Sequence, residues 1–429
     1  MRRLFIEKLI EWKNNTNRKP LILWGARQVG KTWLLKEFGE TQFENTLYIS
    51  FYNNQKDSQV FEKDYDTNRI ITTLEIQHHI KIQPQKTLVI FDEVQSAPKV
   101  VESLKYFCED ASEYAVVATG ALLGVSIHDG VSFPVGKVDE LHLHPMTFAE
   151  FLLANGEDQL AEYIGNYKNP FVFDLRDLYI AHLRNYFFTG GMPEAVKTFA
   201  ETKDYDAVRD VQNSILSQYE GDFGMHIPAD QHPRIRMVWH SLPMQLAKEN
   251  RKFFFCQVKQ GARMKDFELA IQWLCDAGLV YKVHKVSKPG MPLASYISFT
   301  DFKLYMNDIG LLGALSELDK ESVLEGNEIF TEFKGALTEQ YVLQALIAGT
   351  GYKLYYFSGE KSTYEMDFLI QKGKNIVPIE VKAEENLKAK SLRVYCEKFH
   401  PNFAVRTSMS AYREQDWMTN IPLWAIAGV

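Results

Sequence analysis

The sequence predicts an α/β protein. Its first part is a parallel sheet of the P-loop NTPase type, followed by a helical lid, a winged-helix middle domain and a C-terminal αβββαβ domain. Three observations carry this reading. Residues 25–32 are Gly-Ala-Arg-Gln-Val-Gly-Lys-Thr, a full match to G-x-x-x-x-G-K-[ST]. Residues 87–93, Thr-Leu-Val-Ile-Phe-Asp-Glu, are an apolar run that ends in two carboxylates. Near the C-terminus, Asp367 and Glu380-x-Lys382 stand on successive strand-like runs.

The flanks of the first motif give it its context. Pro-Leu-Ile-Leu-Trp (20–24) is an apolar run of strand type, and Trp-Leu-Leu-Lys-Glu-Phe after Thr32 suits the first turns of a helix. Strand, glycine-rich loop and helix together identify a phosphate cradle. The backbone N–H groups of Gly25, Ala26, Arg27, Gln28, Val29 and Gly30 then face an anion at a helix N-terminus. Lys31 would reach the β- and γ-phosphates of ATP, and Thr32 would ligate Mg²⁺.

The run 87–93 has the composition of a fully buried parallel strand ending at a ligand crevice. Asp92 fits a metal-holding carboxylate and Glu93 the base that polarises an attacking water. The adjacent pair points to hydrolysis rather than to phosphorylation of a small molecule. Residues 114–119 form a further buried strand, and Thr119 at its end is placed to sense a γ-phosphate.

At 429 residues the chain should hold two to four domains. An apolar content of 46% supports well-filled cores. No stretch approaches the ~18 consecutive apolar residues of a membrane helix. The start, Met-Arg-Arg-Leu-Phe-Ile-Glu-Lys, lacks the apolar region of a signal peptide. Cys108, Cys256, Cys275 and Cys396 are scattered and read as thiols of a reducing compartment, so the cytoplasm is expected. The net charge of −7 is unlike that of a nucleic-acid binder. Residues 226–300, however, hold eleven Lys and Arg against five Asp and Glu. That basic stretch is a candidate footprint for DNA phosphates.

The elements follow in order. Residues 1–13 have the spacing of an amphipathic helix, and a strand is expected at 46–52. Helices at 68–82 and 98–110 flank the 87–93 strand, and 138–143 supply one more strand. This alternation builds a parallel sheet over 1–146. Residues 147–154 and 174–220 read as helices broken at Thr189-Gly190-Gly191-Met192-Pro193, giving a lid over 147–225. A helix from 233, a strand-like run at 253–258, a helix at 265–276 and strands at 279–286 and 296–306 have the order of a winged helix over 226–316. Arg263, Lys265, Lys282, Lys285 and Lys288 fall on its recognition helix and wing. The charged stretch 316–327 reads as a linker.

Over 326–429 the order is a helix containing Glu339, strands at 352–357, 365–370 and 376–382, a helix at 387–399 and a strand at 403–407. This order, with Asp367 and Glu380-x-Lys382, resembles the core of PD-(D/E)xK nucleases, a restriction-endonuclease-like fold. Carboxylates at strand centres are costly unless they bind something. Glu380 and Lys382 leave the same face of their strand. The resemblance implies that Asp367, Glu380 and Glu339 hold Mg²⁺ or Mn²⁺. Lys382 would act on the attacking water.

Taken together the segments resemble the bacterial and archaeal AAA+-type ATPases that carry a C-terminal domain of unknown function (DUF4143). Besides the runs above, the resemblance rests on Phe-Asp-Glu-Val-Gln (91–95), Ala-Thr-Gly-Ala (118–121), His-Pro-Met-Thr-Phe-Ala-Glu-Phe (144–151) and Gly-Gly-Met-Pro-Glu (190–194). It rests equally on Phe-Lys-Leu-Tyr-Met-Asn-Asp-Ile-Gly-Leu-Leu (302–312), Met-Asp-Phe (366–368) and Pro-Ile-Glu-Val-Lys (378–382). Two positions depart from the family pattern. Ala121 replaces a serine, and Lys137 replaces an arginine, keeping the charge but not the bidentate fork. The resemblance implies a Mg²⁺-dependent ATPase acting as a switch or remodeller. The alternatives are an ATP-gated DNA nuclease and a nucleotide-bound interaction protein with an inactive nuclease-like domain. The sequence leaves the partner open, whether another protein or a second copy in a homo-oligomer.

Overall fold

The structure is a computed structural model and describes residues 1–120, 133–223, 230–248, 252–325, 331–359, 364–383 and 389–429. The chain forms two compact units. One comprises Arg3–His144 with Asp276–Leu279, and the other Met1–Arg2, Pro145–Cys275 and Val280–Val429.

The first unit is built on β1 (Leu21–Trp24), β2 (Asn45–Ser50), β3 (Thr87–Asp92), β4 (Ala115–Thr119) and β5 (Asp139–His142). All pair in parallel, in the order β2-β3-β4-β1-β5. Every residue of β3 and β4 is buried, as expected of inner strands covered on both faces by helices. Phe51, Phe61, Phe91 and Phe107 meet edge-on in this core. Burying one such ring contributes about 1.5–3 kcal/mol. The helices Ile6–Asn14, Lys31–Gln42, Thr67–His78 and Pro98–Asp110 complete the layers. Asp66 caps the third by accepting from Arg69 N–H, and Pro98 opens the fourth where no N–H is needed. Ala121 lies outside the described residues.

The second unit starts with helices. Phe148–Ala154 opens with a capping box between Thr147 and Glu150. Arg176–Thr189, Pro193–Thr202 and Tyr205–Asp222 follow, and the break falls at Gly190-Gly191 as expected. That break is tied to a distant segment of the same unit. Gly191 N–H donates to Asp308 Oδ2 at 2.6 Å, and Asp308 Oδ1 caps the helix Ile309–Leu315 through Leu311 N–H at 3.0 Å. The stretches Gly-Gly-Met-Pro-Glu and Asn-Asp-Ile-Gly thus meet at one buried carboxylate. Burial pushes its pKa up, and these N–H donors oppose the shift.

Eight strands form the sheet of this unit: β6 (Val280–Val286), β7 (Ile297–Met306), β8 (Tyr355–Ser358), β9 (Glu365–Lys372), β10 (Asn375–Val381), β11 (Val405–Ser408), β12 (Arg413–Glu414) and β13 (Thr419–Pro422). Their order is β12-β13-β11-β10-β9-β8-β6-β7. Helices Thr331–Thr350 and Lys390–Phe399 accompany it, so the expected αβββαβ order is present. Among the described residues, no helix is long and apolar enough to cross a membrane.

Three expectations are corrected. The β6–β7 hairpin, expected as the wing of a winged helix, is part of the C-terminal sheet, because β6 pairs in parallel with β8 at His284↔Tyr355. The run 253–258 is a helical turn, Phe255–Val258, rather than a strand. The reason is local: the Gln245 side chain bonds both backbone groups of Phe254, at 2.9 Å each, in place of a strand partner. The 316–327 linker contains a short helix, Lys320–Glu325, started by Asp319 accepting from Ser322 N–H; residues 326–327 lie outside the described residues. The strands β12 and β13 and the helices between 155 and 175 were not foreseen.

Candidate active site

The phosphate loop leaves β1 at Gly25. A side chain there would drive its Cβ to 2.5 Å from Leu143 O, so only glycine lets the chain pass. Gly30 closes the loop at φ +91°, a left-handed conformation, and heads the helix Lys31–Gln42. Arg3 braces the loop from beneath, donating to Val29 O at 2.9 Å and His144 O at 2.8 Å. Nothing in the sequence marks Arg3 for that task.

Lys31 is buried, and its ammonium donates to Gly25 O and Ala26 O, each at 2.8 Å. Burial pulls its pKa down to about 8 against the opposing pull of Glu93 and Asp92. Thr32 Oγ1 donates to Asp92 Oδ2 at 2.6 Å. The two residues expected to ligate Mg²⁺ thus lie beside each other, on the helix Lys31–Gln42 and at the end of β3. Asp92 Oδ1 accepts from Glu93 N–H at 2.9 Å. Glu93 itself sits at φ +56°. Hard oxygen donors from a hydroxyl and a carboxylate, next to an anion cradle, fit Mg²⁺.

Two further residues join the site. Tyr48 of β2 donates its OH to Asp92 Oδ2 at 2.9 Å, and Lys36 lies 3.9 Å from its ring centroid. Burial and the Asp92 charge push the Tyr48 phenol up to about 12. Gln95 donates through Nε2 to Glu93 Oε2. Its amide packs so close to Gly120 that a Cβ there would meet Gln95 Oε1. A tyrosine within a strand carries no signal of its own. Gln95 closes the Phe-Asp-Glu-Val-Gln run, but only its contact with Glu93 assigns it a part.

Thr119 is corrected. Its buried hydroxyl donates to Leu23 O on the neighbouring β1 at 2.8 Å, so it serves the sheet rather than a phosphate. Lys137 is exposed to solvent on one side and pairs with Glu109 at 2.8 Å. That pairing raises the lysine's pKa and lowers the carboxylate's.

In the C-terminal sheet Asp367, Glu380 and Lys382 come together. Asp367 Oδ2 accepts from Val381 N–H at 2.7 Å. Lys382 Nζ lies 2.9 Å from Glu380 Oε1. Glu380 Oε2 is buried without a hydrogen-bond partner among the described residues. Burial pushes the Glu380 pKa up, and the Lys382 charge opposes this. Glu339 is engaged elsewhere: its Oε2 accepts from Tyr305 OH at 2.8 Å and lies 3.7 Å from Lys303 Nζ. The expected metal site of Asp367, Glu380 and Glu339 is therefore not assembled. Among the described residues no group of three or more His, Cys, Asp or Glu could hold a metal ion. Glu380 Oε1, Glu339 Oε2 and Asp367 Oδ2 each already face a protein cation, a hydroxyl or an amide, while Glu380 Oε2 stays unpartnered among the described residues.

The basic segment also spends part of its charge internally. Lys282 lies over the Phe302 ring at 4.4 Å and Lys288 over Tyr296 at 4.6 Å. Lys252 pairs with Asp301.

Comparison with known proteins agrees with this geometry. Residues 17–152 match the model of the AAA domain, and residues 334–426 match a domain of unknown function (DUF4143). Between them, residues 180–322 match another domain of unknown function (DUF8612). No curated protein matches the chain. Among solved structures, a Walker-type ATPase of Pyrococcus abyssi is similar at 13% identity and a TM-score of 0.44, over 72% of this chain and 94% of its own. The Orc1 protein of Aeropyrum pernix in complex with DNA is similar at 14% identity and 0.30, over 73% and 90%. AMPPCP-bound DnaA from Aquifex aeolicus is similar at 13% and 0.29, over 63% and 86%. Likeness at these TM-scores establishes neither a shared task nor a shared partner. The chain carries an AAA domain, with the parallel sheet and phosphate loop of an ATPase, and a C-terminal DUF4143 domain.

Proposed function

We propose that this protein is a Mg²⁺-dependent ATPase of the cytoplasm that works as a nucleotide-driven switch or remodeller. The observation that carries the reading is the Thr32–Asp92 contact at 2.6 Å beside the carbonyl-held Lys31. ATP would lie along the backbone N–H groups of 25–30, with Lys31 turning from the Gly25 and Ala26 carbonyls to the β- and γ-phosphates. Thr32 and Asp92 would hold Mg²⁺, which neutralises phosphate charge when bound. Glu93 would orient and polarise the attacking water, once released from Gln95. The functional segments we assign are 1–146 for the ATPase, 147–225 for the lid, 226–316 for the middle domain and 326–429 for the nuclease-like domain. The test is phosphate release by Glu93→Gln. The variant should keep ATP and lose turnover by about 10²-fold or more. Equal release by variant and wild type would remove Glu93 from the reaction.

For the C-terminal domain we propose a nuclease-like fold kept as a binding module, because Lys382 is spent on Glu380. The basic segment 226–300 is the part we would assign to a phosphate-bearing partner such as DNA. Its affinity should fall steeply with salt as counterions are released. Reversing the charges of Lys282, Lys285 and Lys288 together should abolish retention of duplex DNA at low salt. Unchanged retention would move the contact elsewhere.

A further inference from the structure

We infer that the ammonium of Lys303 is the resident cation of the inner carboxylate cluster of the C-terminal domain. It supplies the positive charge that Glu339 and Glu365 would otherwise have to draw from a divalent metal. This deepens the binding-module reading of that domain and is independent of the ATPase reading. Lys303 stands on β7 opposite Val283 of β6, and its side chain is completely buried. A lysine is almost never fully buried unless it is paired. Here Nζ lies 2.5 Å from Glu365 Oε1 on β9 and 3.7 Å from Glu339 Oε2 on the helix Thr331–Thr350. The ring of Tyr356 on β8 is 4.9 Å away. Tyr305, two residues along β7, gives its OH to the same Glu339 oxygen. Three strands and a helix therefore converge on one ammonium.

The physical reason is the cost of the carboxylates. Glu339 is buried, and Glu365 is largely so. Two carboxylates drawn together out of water repel each other and lose hydration, so they need a cation or a proton. A divalent ion would supply the charge only at sufficient concentration, whereas a lysine supplies it through the covalent chain. The β6–β7 hairpin delivers that lysine because it is stitched to β8 instead of standing free as a wing. Glu380 has its own lysine in Lys382, 2.9 Å away.

The test uses the full chain without nucleotide and MnCl₂ as the probe, with bound Mn²⁺ counted by electron paramagnetic resonance. Any Mn²⁺ at the phosphate loop is common to all variants, so only differences are read. In the wild-type background, Glu339→Gln should leave bound Mn²⁺ unchanged. Lys303→Met should gain one Mn²⁺ per chain, and adding Glu339→Gln should remove it again. Mn²⁺ should raise the melting temperature of Lys303→Met and not that of wild type. If Lys303→Met folds only in the presence of MnCl₂, that rescue is the same result. Mn²⁺ on the wild type that Glu339→Gln removes would overturn the inference. So would a folded Lys303→Met chain that gains no Mn²⁺.

Discussion

Lys31 in the N-terminal unit is held by two backbone carbonyls, whereas Lys382 and Lys303 in the C-terminal domain are held by carboxylates. The difference decides what each site can do. A lysine on carbonyls gives up two neutral acceptors to reach a phosphate, and the carboxylates nearby remain available to a metal. A lysine on a buried carboxylate can leave only by stranding that charge, which costs several kcal/mol. Both regions show the same sequence pattern, acids and a lysine at the ends or centres of strands. Pattern alone does not distinguish charges aimed at a ligand from charges aimed at each other.

One way to sharpen the comparison is to loosen the N-terminal site without touching a phosphate contact. Tyr48 would act on a metal only through Asp92, so it is a positioning residue. Tyr48→Phe keeps the ring, with Lys36 above it, and removes the 2.9 Å bond to Asp92. A hydrogen bond to a charged group is worth about 1.5–3 kcal/mol. The Mg²⁺ concentration for half-maximal turnover should therefore rise about ten- to hundredfold, with little change in metal-free nucleotide affinity. A fall in kcat with an unchanged Mg²⁺ requirement would show Tyr48 to be mere packing.

Much of the first unit was legible because its signals are local. The phosphate loop, the largely apolar β3 and the acids that end it are each contiguous, and the parallel sheet follows from their alternation with helices. What stayed illegible depends on contacts between distant residues. Tyr48 and Gln95 look like ordinary strand and loop residues until Asp92 and Glu93 lie beside them. Thr119 was misread because its hydroxyl turns sideways to Leu23 O rather than onward to the ligand, a choice of rotamer that no spacing encodes. The wing was misread for a similar reason. A hairpin looks the same whether its edge faces water or pairs with a strand about seventy residues later. Asp367 and Glu380 fall on the strands that their spacing predicts, yet Lys303, which partners Glu339 and Glu365, precedes the 326–429 segment that carries the acids.

The smallest expected effect concerns the proton on Lys31. Burial brings its pKa down to about 8 in the nucleotide-free protein, more than the negative charges of Glu93 and Asp92 restore. Bound phosphates add negative charge beside the ammonium and raise its pKa, so the complex holds more protons than the free protein as pH climbs past 7. Binding must then take up a proton, and affinity must fall as pH rises through 8. From pH 7 to 8.5 the charged fraction drops roughly fourfold, and the apparent ATP affinity should drop by the same factor. Calorimetry of Mg²⁺–ATP binding in buffers of different ionisation enthalpy reads both quantities. Lys31→Arg, whose guanidinium does not titrate in this range, should give a flat profile wherever it still binds. A wild-type profile equally flat would mean that Lys31 stays charged on its carbonyls throughout, and that burial costs it less than the geometry implies.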